Sequence, residues 1–402
     1  MKPLLLSACT LTTCLGRGLD RTLDALHARR TGLEPCRFET VDLETYVGEV
    51  DGIDDVAIDP ALSAFDCRNN RLALLGLGQD DFVAAVRAAA ARHGAERIGV
   101  FIGTSTSGIL ETELAYRHRN AVDGTLPSEF NYPGTHSPFS VADFIRRILR
   151  LSGPVATASA ACASSAKVFA SAQRMIEAGV IDAAVVGGVD SLCLTTLYGF
   201  NSLELTSARP CRPFDADRDG ISIGEGAAFA LLERAPADPG DDAGAILLLG
   251  VGESSDAHHM SSPRPDGLGA RMAMEAALHS AGAASGDVGY INLHGTATPS
   301  NDAAEGNAVA ALFGANTPGS STKGATGHAL GAAGAIEAII AVLAIRHQFI
   351  PAGVNTTHID PAIAIDYVVD DRTGAPSMAL SNSFGFGGTN CSLLFGRADV
   401  GR

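Results

Sequence analysis

The tightest constraint on this chain is a pair of helical stretches that lack a polar face. Residues 332–347 and 166–178 are apolar around nearly their whole circumference. A helix with one apolar stripe can lie on a surface, whereas one that is apolar all round must be covered on every side. The same run of features leads into each: a short extended piece, a turn of small residues, then the helix. It spans residues 158–179 and recurs over 321–348. Two buried helices in matching contexts imply a duplicated core with further layers on both sides of it.

The surrounding pattern supplies those layers. Gly-bounded apolar runs predict strands at 98–102, 183–186, 227–233, 245–251, 290–293 and 392–395. Residues 4–11 predict a first strand, followed by a turn at Gly16 and Gly18. Helical spacing predicts helices at 80–93, 141–150, 166–178, 270–280, 303–313 and 332–347. Strands alternating with helices give an α/β class. The segment 234–244, RAPADPGDDAG, has linker chemistry and divides the chain into halves 1–240 and 241–402. With 45 Gly, no Trp and 5% aromatic residues, close packing must come from small side chains. A hydrophobic content of 46% excludes a disordered chain.

Charge and cysteine usage exclude several functions. Lys plus Arg is 29 against 45 for Asp plus Glu, a net −16, which argues against coating nucleic acid. Eight cysteines are scattered with no C-x-x-C pair, so a zinc site or redox dithiol is not expected. The start, MKPLLLSAC, imitates a lipoprotein signal, but its apolar core is shorter than such signals need. No uninterrupted apolar run reaches the roughly 18 residues that a membrane span requires.

Four segments could carry chemistry. In TASAACASSA, residues 157–166, Cys162 precedes the first buried helix. A thiol at a helix N-terminus meets the positive end of the macrodipole, which favours thiolate and predicts a lowered pKa. The free N–H groups there could also hold an oxyanion. Taken alone, Cys162 could equally be one more small buried cysteine. In NLHGTATPSND, residues 292–302, His294 ends an apolar strand, where α/β folds place functional groups. A structural histidine would look the same. In STKGATGHALGAAGAIE, residues 321–337, Lys323, His328 and Glu337 sit in apolar surroundings, and the Lys and Glu need partners if buried. No G-x-x-x-x-G-K-[ST] occurs, which argues against a nucleotide loop. Residues 381–390, SNSFGFGGTN, set aromatics between glycines, as a gate or as a tight turn would.

In this order the four segments resemble the β-ketoacyl-acyl-carrier-protein synthases, and the likeness runs from about Leu4 to Phe395. The resemblance implies the thiolase fold, five αβαβα layers built from two duplicated halves, working as a dimer. Cys162 would hold an acyl chain as a thioester. The backbone N–H groups of Cys162 and Phe386 would form the oxyanion hole, with Phe386 as aromatic gate. His294 and His328 would bind the malonyl thioester carbonyl during decarboxylation. Lys323 would hold the geometry around His328, with Glu337 as charge partner. Thr296 and Thr298 would contact the pantetheine arm. The resemblance also implies a structural monovalent cation among Asn292, Glu305, Glu337 and Asn382, and no required cofactor.

The same likeness implies a cytoplasmic acyltransferase that performs decarboxylative Claisen condensation for fatty-acid, polyketide or aryl-polyene-type chain elongation. Its partners would be an acidic acyl carrier protein, docking on Arg68, Arg71 and Arg209, and either a second copy or a ketosynthase-like chain-length subunit. Two departures bear on the subfamily: Asn301-Asp302 stands where Gly-Asp is frequent, and Ala160-Ala161 where Thr-Ala is frequent. The opening region and residues 205–213 lean towards the stand-alone synthases of specialised pathways. The rival readings are a degradative thiolase and a ketosynthase active only beside a non-catalytic partner.

Overall fold

The computed structural model describes residues 1–235, 244–370 and 372–399. The boundary at 240 and most of the 234–244 linker lie outside these residues. In the first half the core strands are β1 (Leu4–Thr13), β2 (Ile98–Gly103), β3 (Val155–Ala158), β4 (Ala183–Asp190) and β5 (Gly226–Arg234). In the second they are β6 (Ile246–Ser255), β7 (Tyr290–Asn292), β8 (Pro318–Ser320), β9 (Met378–Gly385) and β10 (Thr389–Arg397). The helices that cover them are α1 (Arg68–Leu77), α2 (Phe82–His93), α3 (Phe139–Leu149), α4 (Ser164–Glu177), α5 (Leu268–Ala281), α6 (Pro299–Phe313) and α7 (Ala333–His347).

The two halves match strand for strand. The hydrogen-bonded order is β3-β2-β4-β5-β1 in the first and β8-β7-β9-β10-β6 in the second. In each, the second strand in this order runs parallel to both neighbours, and the remaining pairings are antiparallel. Leu4 opposite Leu248 and Leu5 opposite Leu247 join the two sheets at one edge. The extra strand Asp366–Tyr367 extends the second sheet beyond β8.

Helices α4 and α7 form the middle layer and touch strands of both sheets. Helices α1, α2 and α3 cover the outer face of the first sheet, and α5 and α6 cover that of the second. The result is the five-layer αβαβα thiolase fold. Three apolar clusters fill the spaces between layers, and the central one contains the whole apolar length of α7.

Helix α7 obeys the all-round rule, since every residue from Ala333 to Ile345 is buried. The stretch Leu330–His347 is long and apolar enough to cross a membrane by length and composition, yet 89% of it is covered by protein. Helix α4 departs from the rule. Lys167 and Arg174 reach the surface at 2.9 and 2.6 Å from Glu253, so one side of this helix meets water. Sequence periodicity found the long helices and missed three of the core strands. Val155–Ala158 was reached only at its last residue by the extended piece read from 158, Pro318–Ser320 is brief, and Ser381–Gly385 of β9 lay in a segment read as a gate or a tight turn. Helix α1 was also missed, because its buried face includes Asn69 and Asn70 as well as Leu72 and Ala73. Cys9, where a lipoprotein would be processed, is a core residue of β1.

The middle layer should dominate stability. Ile339 in α7 is fully buried between the sheets, so Ile339→Ala should cost about 2–5 kcal/mol and Ile339→Val about 0.5–1.5 kcal/mol. Chemical denaturation of both variants checks this; a loss below about 1 kcal/mol for the alanine would contradict the central packing.

Candidate active site

The strongest constraint on Cys162 is the turn that carries it. Strand β3 ends at Ala158 and α4 begins at Ser164, leaving five residues to reverse direction. The Ala163 N–H donates to the Ala160 carbonyl and the Ser164 N–H to the Ala161 carbonyl. Ala161 adopts φ +49°, a left-handed conformation that only a well-braced turn retains in a residue with a Cβ. Cys162 is thereby lifted into the mouth of a cleft at the junction of the two halves.

The facing groups come from the second half. His294 follows β7, and His328 follows the short helical turn Lys323–Thr326. His328 Nε2 lies 3.1 Å from Cys162 Sγ. The two imidazoles stand edge to face, with ring centroids 5.4 Å apart, and Phe384 packs against His294 at 5.9 Å. All three functional side chains are buried.

Lys323 organises the second half of the site. Its Nζ donates to the His294 carbonyl and pairs with Glu337 Oε1. It also lies 3.3 Å from His294 Nδ1. An ammonium can only donate, so His294 Nδ1 must present its lone pair and the ring proton sits on Nε2. His294 is thus a hydrogen-bond donor towards the cleft. Glu305 fixes the same segment by accepting from the His294 and Gly295 N–H groups at 2.8 Å each.

Burial and this cation set the protonation states. Burial, reinforced by Lys323, holds both histidines well below the usual imidazole range, so both are neutral. Burial pushes the Cys162 thiol up to about 11, although Lys323 and the Phe386 N–H oppose it. The lowered thiol pKa expected at a helix N-terminus is therefore not found. The desolvation cost outweighs the cation and the amide, and the helix starts two residues past the sulfur. The thiol rests protonated against the neutral His328, which can accept its proton.

The cleft above Cys162 has a cavity volume of about 60 Å³. Apolar groups, including Phe200, Leu205, Ile221 and Phe386, line one side. Phe200 and Phe386 meet at 5.7 Å between ring centroids. The Phe386 N–H reaches towards the Cys162 sulfur. Gly385 leaves this space open, since a Cβ there would lie 3.1 Å from Cys162 N and 3.0 Å from the Ala160 carbonyl. Thr296 and Thr298 also line the cleft as a wall of their own, with their hydroxyls 2.9 Å apart. Asp302 braces that wall by accepting from the Thr296 and Ala297 N–H groups. Sequence spacing did not single out this role.

Two expectations need correction. Lys323 contacts His294 rather than His328, because the turn 323–326 directs its side chain back under β7. Arg68 is not a docking residue: it is buried, 2.7 Å from the fully buried Glu225, with Glu49 and Asp54 at 3.1 and 3.2 Å. A carboxylate as deeply buried as Glu225 needs a cation, and Arg68 is that cation. Arg71 pairs with Asp66 at 2.6 Å, and Arg209 is largely exposed beside Asp219 at 3.6 Å.

The ligating atoms of Cys162, His294 and His328 lie within 4.8 Å of one another, a spacing that a Zn²⁺ could bridge. The proton that Lys323 pins on His294 Nε2 occupies the lone-pair position such an ion would need. The geometry instead favours proton transfer and hydrogen-bond donation to an oxygen near the sulfur.

Comparison with known proteins agrees with this chemistry. Residues 76–237 match the profile described as beta-ketoacyl synthase, N-terminal domain, and residues 246–357 match beta-ketoacyl synthase, C-terminal domain. A 3-oxoacyl-[acyl-carrier-protein] synthase 2 from Vibrio cholerae is 34% identical over 95% of this chain and 96% of its own. A ketosynthase (ApeO) from Xenorhabdus doucetiae, solved in complex with its chain length factor (ApeC), is 39% identical. It superposes with a TM-score of 0.88 over 99% of this chain and 98% of its own. A beta-ketoacyl synthase from Burkholderia phymatum is 30% identical, with a TM-score of 0.87 over 99% of this chain and all of its own.

The raised thiol pKa has a kinetic signature. A thiol at about 11 alkylates through a small thiolate fraction. The iodoacetamide rate at Cys162 should therefore climb about tenfold per pH unit from pH 7 to beyond 9. A plateau between pH 7 and 8.5, followed by peptide mass spectrometry, would show the thiolate to be stabilised instead.

Proposed function

The chain belongs to the β-ketoacyl synthase family, and on that premise we propose how its residues perform the condensation. It is an acyltransferase that forms carbon–carbon bonds between carrier-bound acyl groups. The observation that carries the residue assignment is the 3.1 Å approach of His328 Nε2 to Cys162 Sγ, with the His294 Nε2 donor beside them.

The first half-reaction loads the chain. Cys162 Sγ attacks the thioester carbonyl of an acyl-carrier while His328 takes the thiol proton. The developing oxyanion sits between the Cys162 and Phe386 N–H groups; losing one such donor typically costs about 10²–10³ in rate. The bond from carbon to the carrier sulfur breaks, the carrier leaves as the thiol with the proton from His328, and the acyl group stays on Cys162. Neutral His328 suits this shuttle, because a permanently charged ring could not accept the proton.

The second half-reaction uses the same imidazoles differently. Malonyl-carrier enters along Thr296 and Thr298, and its thioester oxygen meets His294 Nε2–H; His328 joins as the second donor in the tautomer that carries its ring proton on Nε2, the nitrogen facing the site. Loss of CO₂ leaves the electron pair as an enolate, and donors aimed at that oxygen stabilise the charge as it forms. The enolate carbon attacks the acyl carbonyl, the bond from that carbon to Cys162 sulfur breaks, and the freed thiolate takes a proton from solvent, the one proton the whole condensation consumes. Lys323 stays bound to Glu337 and His294 throughout and keeps His294 in its donor tautomer.

The partners follow from the chemistry and the relatives. The substrates arrive on an acyl carrier protein, with Arg209 and Arg71 as the remaining docking arginines. The Xenorhabdus relative forms a complex with its chain length factor. This chain retains Cys162 and both histidines, so in such a pair it is the catalytic member. Free cysteines throughout the chain support a cytoplasmic setting.

A structural monovalent cation fits Asn292, Glu305, Glu337 and Asn382. Glu337 Oε2 and Asn292 Oδ1 are buried without a hydrogen-bond partner, and burial pushes Glu305 and Glu337 each up to about 7. Two buried carboxylates, beside the unsatisfied Asn292 amide oxygen, form a donor set suited to a hard cation. Such an ion would neutralise the charge that Lys323 leaves over.

The decisive experiment incubates the protein with a panel of acyl-carriers and weighs it intact. A mass gain at Cys162 identifies the preferred chain, Cys162→Ala should gain none, and His328→Ala should lose decarboxylation of malonyl-carrier by about 10² or more. Condensation by the Cys162→Ala protein would refute the assignment. Separately, replacing Na⁺ and K⁺ by choline should lower Tm, and Glu305→Gln should remove that dependence. An unchanged Tm in choline would mean that the four residues hold no ion.

A further inference from the structure

The peptide between Ala161 and Cys162 is gripped from behind. Its carbonyl accepts from Ser164 Oγ at 2.6 Å, from Ser164 N at 3.1 Å and from Ser105 Oγ at 3.4 Å. A trans peptide sends its N–H opposite to its C=O. Whatever holds the Ala161 carbonyl therefore aims the Cys162 N–H, on the side that Gly385 keeps open. The left-handed Ala161 is strained, so this orientation persists only under external bracing.

Ser164 belongs to the turn itself, but Ser105 arrives from the loop after β2 and is held there by Asp190 at the end of β4. Asp190 Oδ1 accepts from the Ser105 and Thr106 N–H groups at 2.8 Å each. It also accepts from the Thr104 and Thr106 hydroxyls at 2.6 and 2.8 Å. Oδ2 accepts from the Ser105 N–H at 3.0 Å. Asp190 is fully buried, and among the described residues no ion pair reaches it. A buried carboxylate without a counter-ion is expensive to keep, and neither half-reaction uses its charge. Gly331, three residues after His328, closes over the pair: a Cβ there would lie 2.7 Å from Ser105 Oγ and 2.8 Å from Asp190 Oδ2.

We propose that Asp190 and Ser105 are positioning residues, which hold the Ala161–Cys162 peptide so that its N–H faces the oxyanion of the acyl-transfer step. This rests on the half-reactions assigned above, and it separates them. Acyl transfer needs the Cys162 N–H, whereas decarboxylation leans on His294 and His328, which neither residue touches.

The test measures both steps in one set of proteins. Cys162 acylation by acyl-carrier is followed by intact mass, and CO₂ release from malonyl-carrier by headspace assay. Ser105→Ala should slow acylation by about tenfold through kcat, a fraction of the 10²–10³ that losing a whole donor costs. Its KM for acyl-carrier and its decarboxylation rate should stay within about twofold. Ser105→Thr, which keeps the hydroxyl, should restore acylation. Asp190→Asn should exceed the Ser105→Ala defect, because an amide cannot accept from all the donors it faces. Parallel loss of both steps in Ser105→Ala, or unaltered acylation in both Ser105→Ala and Asp190→Asn, overturns the proposal. Wild-type protein that neither acylates nor decarboxylates overturns the half-reactions themselves, a distinct outcome.

Discussion

A single ammonium, buried between Glu337 and His294, is the interaction on which the rest of the site depends. Lys323 is 1% exposed, so its charge is screened by neighbours rather than by water. It holds the His294 carbonyl, assigns the ring proton of His294 to Nε2 and reinforces the burial that keeps both imidazoles neutral. It also works against burial at Cys162, although burial wins. Removing one member of a buried ion pair typically costs about 3–5 kcal/mol, because the other charge is stranded. Here the stranded group would be Glu337, already pushed up by its surroundings.

The duplicated architecture explains why such a charge can be tolerated. Each half places a helix in the middle layer and leaves the loops at the ends of its parallel strands free to carry polar groups. The first half sends Cys162 into the junction on the turn after β3. The second sends His294 and His328 there from the turns after β7 and β8. Polar side chains from both halves then meet, buried, at the floor of the cleft. Glu305, Asp302 and Asp190 each spend a carboxylate on holding loop N–H groups in place. Buried carboxylates are thus used for bracing as well as for charge balance, which accounts for a site whose reactive groups are all close to neutral.

Much of this was legible in residue order. The apolar circumference of residues 333–345 demanded a middle layer, and the repeat of context around α4 demanded a second half. The motifs around Cys162, His294, Lys323 and Phe386 named the reactive groups. Signals failed where a role depends on direction. Lys323 was matched to the wrong imidazole because a four-residue helical turn decides which way the chain points. Arg68 looked like a surface arginine because its partner Glu225 lies 157 residues away in sequence. Asp190 closes an apolar strand with no local pattern to mark it, and only the loop after β2 shows what it binds.

What residue order determined by itself was the set of chemical groups and the layered class, because apolar periodicity and small-residue turns are local properties that water enforces on any chain. What only the tertiary structure decided was electrostatic. The thiol sits high rather than low, His294 carries its proton on the cleft side, and a carboxylate far from the nucleophile in sequence stands behind its peptide. Each of these is set by how much solvent is removed and by which charge from a distant segment fills the gap. Neither quantity exists until the two halves have closed on one another.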